Sequence, residues 1–156
     1  IILKGGGHSM AAGCILNKNK INIFENFLKN NYFKKFKNFK SVKYFTSEQS
    51  IDSLKIFAKK ELQLLEPFGN YNFNPIFLIK KNKIVSYKII NQRHLQLMIK
   101  NKFNKYCMCF VFDAVDTKLA HILTNNKKEI DLLVQINNKI INKNTDFNLI
   151  IKDAIT

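Results

Sequence analysis

Apolar residues in the first part of the chain recur at three- and four-residue intervals, the spacing of a helix with one buried face. Residues 22–40 show this pattern, with phenylalanines on one face and Lys and Asn opposite. A second helix is predicted over residues 46–65, because residues 46–49 read Thr-Ser-Glu-Gln, the spacing of a capping box. The Pro-Phe-Gly at 67–69 should end that helix.

Beyond residue 69 the apolar spacing changes to that of strands. A turn is predicted at Asn82 between the first two of them, and a short helix over 113–123 before the last two. This number and order of elements predict an α+β fold with a small Greek-key β-barrel of the OB type. The predicted strands are residues 75–81, 83–90, 94–99, 106–112, 130–136 and 147–152.

Glycine is concentrated at the start of the chain, in Gly5, Gly6 and Gly7. Residues 1–16 predict a short strand, a glycine turn and a segment of small residues. Successive glycines let a backbone approach a ligand and turn its N–H groups onto an anion, and His8 can donate to a phosphate oxygen. The segment lacks the Gly-Lys-Ser/Thr of a P-loop. A phosphate site and a plain glycine hairpin with a surface histidine both fit.

The charge of the chain favours an anionic partner, with 26 basic against 11 acidic residues and a net charge of +15. However, 25 of the basic residues are Lys and only Arg93 is Arg. Lys, Asn and Ile are the residues that an AT-rich genome encodes, so the charge also fits a compositional bias. Both interpretations stay open.

The three cysteines show no disulfide framework, which favours a reducing, cytoplasmic location. The sequence contains no apolar run of transmembrane length and no signal peptide, so no membrane association is expected.

Two-metal hydrolysis needs a cluster of carboxylates and histidines, and the sequence does not show one. It has no Asp-His-His triplet, and His8, His94 and His121 lie far apart. Asp113 and Asp116 are three residues apart on a predicted helix, an arrangement typical of a solvated face. We therefore expect no catalytic residue and no metal ligand in this chain.

Four segments together resemble a known family. Residues 5–13, GGGHSMAAG, resemble the accessory substrate-binding domain of the phosphodiesterase superfamily named for its Asp-His-His (DHH) motif. Residues 65–77, LEPFGNYNFNPIF, resemble a segment of RecJ, the single-strand-specific DNA exonuclease of that superfamily. Shorter matches follow in the same order, RHLQL at 93–97 and NLIIKD at 148–153. The chain thus resembles the C-terminal part of RecJ over nearly its whole length.

This resemblance implies that residues 1–40 are the end of the accessory domain, 41–65 a connector helix and 66–156 the OB-type domain. It implies the nucleic-acid-binding portion of a 5′-to-3′ single-stranded-DNA exonuclease of recombination and repair. The chain alone should be inactive, with Mn²⁺ or Mg²⁺ bound in a separate N-terminal DHH domain. The implied partners are single-stranded DNA and that domain or another repair protein. Phosphate would be held by Gly5, Gly6, Gly7 and His8.

Basic and aromatic residues of the OB-type domain are further candidates for nucleic-acid contact. Tyr71 and Phe73 stand where the family favours Gly and Pro, and they fit either drift or added stacking surfaces. Alternative functions are a stand-alone OB-type binding module and a non-functional remnant of a split gene. The candidate contacts are Lys80, Lys81, Lys83, Lys88, Arg93, Lys100 and Lys102, with Tyr87 and Phe103 for stacking.

Overall fold

The computed structural model describes residues 1–9, 11–36, 42–126, 128–137 and 147–155. It contains two compact units, Ile1–Lys43 and Tyr44–Thr156. The first unit is an antiparallel hairpin of β1 (Ile2–His8) and β2 (Ala11–Leu16), followed by a 3₁₀ turn and helix α1 (Ile21–Phe36). Residues 37–40 of the first predicted helix lie outside the described residues.

The glycines do not form the predicted turn, because Gly5, Gly6 and Gly7 all lie within β1. None of the five glycines has a positive φ. Pairing with β2 holds them extended, and at Gly7 the requirement for glycine is steric. A Cβ on Gly7 would lie 2.6 Å from the carbonyl oxygen of Ala11, so the hairpin needs glycine at that position.

In its described residues, the second unit contains six strands and two helices, with a 3₁₀ turn at Leu62–Leu65. The predicted strands from residue 94 onward are confirmed, with ends shifted by up to three residues. The elements are β3 (Ser47–Glu48), α2 (Ile51–Lys60), β4 (Phe77–Ile90), β5 (His94–Lys100), β6 (Tyr106–Val111), α3 (Lys118–Asn125), β7 (Ile130–Ile136) and β8 (Asn148–Ile155).

Five of these strands close into a barrel in the order β4-β5-β6-β8-β7, with β7 pairing back to β4. The β6–β8 pair is parallel, and the other four pairs are antiparallel. This is the predicted OB-type barrel, with α3 inserted between its third and fourth strands. Side chains such as Leu97, Leu132 and Leu149, each no more than 1% exposed, fill the interior.

The predicted turn at Asn82 is wrong, because β4 is one strand of 14 residues and Asn82 is fully buried in it. A bulge replaces the turn: Lys81 has a φ of 54°, and the pairing register with β7 shifts between Ile79 and Asn82. The N–H of Lys81 donates to Asp131 Oδ1 at 2.8 Å. The bulge bends β4, so one strand pairs with β7 before it and with β5 after it.

The predicted capping box is also wrong. Ser47 and Glu48 pair in parallel with the start of β4, and α2 begins later, at Ile51. Ser50 is the N-cap and accepts a hydrogen bond from the N–H of Ser53. Helix α2 contributes buried side chains, Ile51 among them, to the core of the second unit.

Helix α3 begins at Lys118, later than predicted, with Thr117 as its N-cap. Asp113 and Asp116 have φ values of 50° and 67°, so they lie in the connection before the helix and not on its face. Within the described part of the chain, no helix is both long and apolar enough to cross a membrane.

Candidate nucleic-acid interface

The outer face of β4, β5 and β6 brings basic and aromatic side chains together. Along β5 the side chains of Leu95, Leu97 and Ile99 point into the core, so Gln96 and Lys100 point outward. Residues opposite each other in antiparallel strands share a face, so the register defines rows across the three strands. These rows are Lys83–Lys100–Tyr106, Ser86–Met98–Met108 and Lys88–Gln96–Phe110.

Aromatic rings line the β6 side of this face. Phe110 and Phe112 are stacked, with ring centroids 6.3 Å apart and planes 12° from parallel. His94 meets Phe112 edge to face, with a centroid distance of 5.3 Å. Tyr106, at the other end of β6, is 54% exposed. Together these rings offer apolar surface on which bases can stack.

The sequence pattern did not predict Phe110, Phe112 and Tyr106 as site residues, because residues 106–112 are apolar on both faces of the strand. The alternation of small and large residues along this strand could have identified them. Cys107 and Cys109 are buried, whereas the larger side chains between and beside them face outward. A strand that alternates small buried residues with exposed aromatics fits a barrel wall with a functional outer face.

A shallow cleft of about 240 Å³ crosses the middle of the face. Its lining includes Ser86, Lys88, Gln96 and Met108. Gln96 Nε2 lies 2.7 Å from Met108 Sδ, which fixes the amide across the two strands. The cleft therefore runs from a basic edge on β4 to a polarisable, aromatic surface on β6.

The predicted lysines divide into paired and unpaired residues. Lys80 Nζ lies 2.6 Å from Glu48 Oε2, and the hydrogen bond and charge of that carboxylate raise the pKa of Lys80. Lys83 Nζ is 3.9 Å from Glu129 Oε1. Lys88 and Lys100 lie on the outer face without an ion pair to any residue in the described ranges.

Arg93 lies at the turn between β4 and β5, at the aromatic end of the face. Asn91 and Gln92 have φ values of 50° and 55°, which makes this a tight hairpin turn. The Arg93 guanidinium is 69% exposed and donates to Asp113 Oδ1. His94, the next residue, accepts the N–H of Asp113 at its Nδ1. The arginine is therefore held beside the aromatic rings.

Two predicted stacking residues lie in different places. Tyr87 pairs with the buried Leu97, so it is on the core side of β4, although it is 51% exposed. Phe103 lies in the loop after β5, at the opposite end of the face from Arg93, with Lys102 Nζ 4.9 Å from its ring centroid. The structure thus groups Phe103 with Lys102, whereas Tyr87 contributes to the lining of the cleft in the middle of the face.

In the first unit, the candidate phosphate residues lie on the glycine hairpin. Gly6 pairs directly with Gly13, and a Cβ at either position would meet nothing within 4 Å. Lys4 and His8 are two residues to either side of Gly6 and share its face. The result is a patch of bare backbone with a basic side chain at each end.

The described residues offer no metal centre, and the buried thiol of Cys109 is not activated. They contain no group of three or more His, Cys, Asp or Glu side chains able to hold a metal ion. A hydrogen bond with Cys107 and burial raise the pKa of the Cys109 thiol, which keeps it protonated. We assign no catalytic step to these residues.

Comparison with known proteins identifies the barrel. The family model described as the RecJ OB domain matches residues 47–153. Two crystal structures of RecJ from Thermus thermophilus, with Mn²⁺ and with Mg²⁺, have similar folds, with TM-scores of 0.60 and 0.61. The sequence identities are 18% and 20%, and 99% of this chain aligns with 22% and 23% of those chains. The chain thus spans less than a quarter of their length.

No curated protein matches the chain. The family match begins at Ser47, so it includes α2 as well as the closed barrel. Because this match covers more than half of the chain, the chain belongs to the RecJ OB domain family.

Proposed function

We propose that this chain binds single-stranded DNA on the outer face of β4, β5 and β6, as the DNA-binding portion of a RecJ-like 5′-to-3′ exonuclease. The observation that carries the proposal is the placing of Tyr106, Phe110 and Phe112 beside Lys88 and Lys100 on one wall of the barrel. OB-folds bind oligonucleotides on the face of their second and third strands, which are β5 and β6 here.

Single strands suit this face better than duplex DNA for a physical reason. Base–aromatic stacking contributes about 1–3 kcal/mol per base, and only an unpaired strand presents its bases for it. The lysines along β4 and β5 would attract the backbone without reading its sequence. Binding should therefore depend on salt, favour single strands and tolerate most sequences.

The glycine hairpin is a second part of the proposed function. Bare backbone at Gly6 and Gly13 allows a phosphate to approach closely, and on the same face Lys4 supplies positive charge and His8 a ring N–H donor. Gly5 and Gly7 lie on the opposite face of the hairpin, where Gly7 allows close packing against Ala12. We infer that this patch holds a backbone phosphate of the same kind of substrate.

The remaining parts of the proposal rest on the family. Hydrolysis would occur in an N-terminal DHH domain that binds Mn²⁺ or Mg²⁺, and this domain or another repair protein would be the protein partner. The cytoplasmic location and the role in recombination and repair belong to the same proposal. The alternative of a stand-alone binding module draws on the second unit, which forms its own closed barrel and core.

Fluorescence anisotropy with labelled oligothymidylate and a duplex of equal length tests the DNA-binding proposal. We expect salt-sensitive binding with a preference for the single strand. Phe110→Ala and Phe112→Ala should each weaken single-strand binding by about 1 kcal/mol or more, with little effect on duplex binding. Tyr44→Ala is a matched control, since Tyr44 is 82% exposed before β3 and belongs to no row of the outer face. Equal, weak binding of both DNA forms would mean that DNA binds through nonspecific charge and not at the proposed interface.

A further inference from the structure

A second and larger cleft lies at the end of the outer face where β5 leaves the barrel. Its volume is about 540 Å³. Three segments meet there: the start of α2, the bulge of β4 and the loop after β5. The lining residues that matter here are Glu48, Lys80, Lys81, Asn82, Lys102 and Phe103.

The charges around this cleft do not balance. Glu48 is its acidic residue, and Lys80 already neutralises that carboxylate at 2.6 Å. No ion pair with another described residue involves Lys81 or Lys102. The lining therefore carries two lysines beyond the pair with Glu48, with the Asp131 carboxylate at the main chain of Lys81, and this excess of positive charge attracts an anion.

The backbone at Lys81 is fixed in an uncommon conformation. Its φ of 54° is rare for a residue with a long side chain, and the Asp131 carboxylate holds its N–H at 2.8 Å. The same bulge buries Asn82 completely, and Asn82 Oδ1 has no hydrogen-bond partner among the described residues. Strained backbone and an unsatisfied buried acceptor in one wall are features found at binding sites.

The opposite wall supplies a held aromatic ring. Asn101 Oδ1 accepts the N–H groups of Phe103 and Lys105, at 2.9 and 3.0 Å, which fixes the loop. The Phe103 ring is 68% exposed, and Lys102 Nζ lies 4.9 Å from its centroid. A ring with a cation beside it suits a base and its phosphate.

We propose that this cleft is a nucleotide subsite, in which one base of a single strand stacks on Phe103 and its phosphate lies between Lys81 and Lys102. The inference rests on the proposed function and extends it. Asn82 and Asn101 line the cleft and are the chain neighbours of Lys83 and Lys100, which form the end row of the outer face. A strand that crosses the aromatic face would end its path in this cleft.

The test uses the whole chain and fluorescein-labelled oligothymidylates of about 4 to 16 nucleotides, the range that OB-folds occupy. The cleft variants are Phe103→Ala and the pair Lys81→Gly and Lys102→Ala. Glycine removes the Lys81 side chain and tolerates its φ, so the bulge should persist. The matched control removes two exposed lysines elsewhere, Lys118→Ala with Lys128→Ala. Thermal unfolding shows that each variant is folded.

Phe103→Ala should weaken binding of the longer oligonucleotides at least about fivefold. The lysine pair should lower the slope of log K against log salt by about 0.7, the value for the one phosphate that both lysines contact. Short oligonucleotides that fit on the aromatic face alone should bind to all variants alike. If the cleft variants bind oligonucleotides of every length as tightly as the control variant does, the proposed subsite is wrong.

Failure of the subsite is distinguishable from failure of the proposed function. If the wild-type chain prefers single strands and the Phe110→Ala variant binds them more weakly, binding on the outer face is supported whatever the cleft variants show. A wild-type chain without a single-strand preference would remove both proposals together.

Discussion

The Arg93 guanidinium donates to the Asp113 carboxylate, with Nε and Nη2 at 2.8 and 2.7 Å from Oδ1. This pair joins the β4–β5 turn to the connection between β6 and α3. The main chain reinforces the link, because the carbonyl oxygen of Arg93 accepts the N–H groups of Ala114 and Val115. Arg93, the only arginine in the chain, is thereby held beside Phe112 with its charge partly neutralised.

Asp113→Asn should therefore increase the affinity for single-stranded DNA by up to about fivefold. An exposed ion pair contributes about 0.2–1 kcal/mol, and a DNA phosphate that binds Arg93 must break this pair in the wild-type chain. Asn tolerates the positive φ of position 113, so the connection should keep its conformation. Anisotropy titrations at low salt provide the measurement. The increase should vanish when Arg93→Ala is added; an increase that persists without the arginine would contradict this account.

The two types of glycine position in the hairpin should respond differently to alanine. Gly7→Ala should disrupt β1–β2 pairing, because the new Cβ would meet Ala11 and Ala12 at 2.6–2.8 Å. Gly6→Ala should leave the pairing intact, because its Cβ would meet nothing within 4 Å. Amide hydrogen exchange across β2 distinguishes them: fast exchange in Gly7→Ala alone is expected, and equal exchange in both would contradict the steric role.

Gly6→Ala has a second expected effect. If the bare backbone holds a phosphate, a methyl group there should weaken DNA binding although the hairpin is intact. Gly13→Ala is a second test of the same patch from the opposite strand, and it should weaken DNA binding as Gly6→Ala does. Unchanged affinity in both variants would assign the glycines to packing alone.

The capping of α2 offers a stability test. Ser50→Ala should lower the free energy of unfolding by about 1 kcal/mol, because Ser50 Oγ accepts the N–H of Ser53 at 3.0 Å. Thr46→Ala, at the position that the sequence pattern favoured, should change it by no more than about 0.5 kcal/mol. Urea unfolding measures both. The reverse order of effects would mean that the helix begins earlier than the structure shows.

Most of the barrel was predictable because its strands alternate cleanly. In β7, Ile130, Leu132, Val134 and Ile136 are buried at every second position, although Leu133 is buried as well and the register with β8 shifts beside it. Strand β4 was misread for a local reason. Its bulge at Lys81 shifts the period-two pattern, and polar Asn82 resembles a turn although it is buried.

The candidate site was predictable in charge but not in shape. The lysines of β4 and β5 were identified from composition, yet which of them pair with Glu48 or Glu129 depends on contacts far apart in sequence. The aromatic rings of β6 were missed, because outward and inward residues of a wholly apolar strand cannot be told apart without the barrel. The pairing of Tyr87 with the buried Leu97 likewise depends on the strand register, which the sequence does not show.

The proposed function requires that single-stranded DNA lies on the outer face of β4, β5 and β6. The most direct test is an NMR titration of the ¹⁵N-labelled chain with unlabelled oligothymidylate. We expect the largest amide shifts at Gln96, at Lys100 and along 106–112, with small shifts on β7. Shifts spread over lysines throughout the chain, with none concentrated on β6, would contradict the claim.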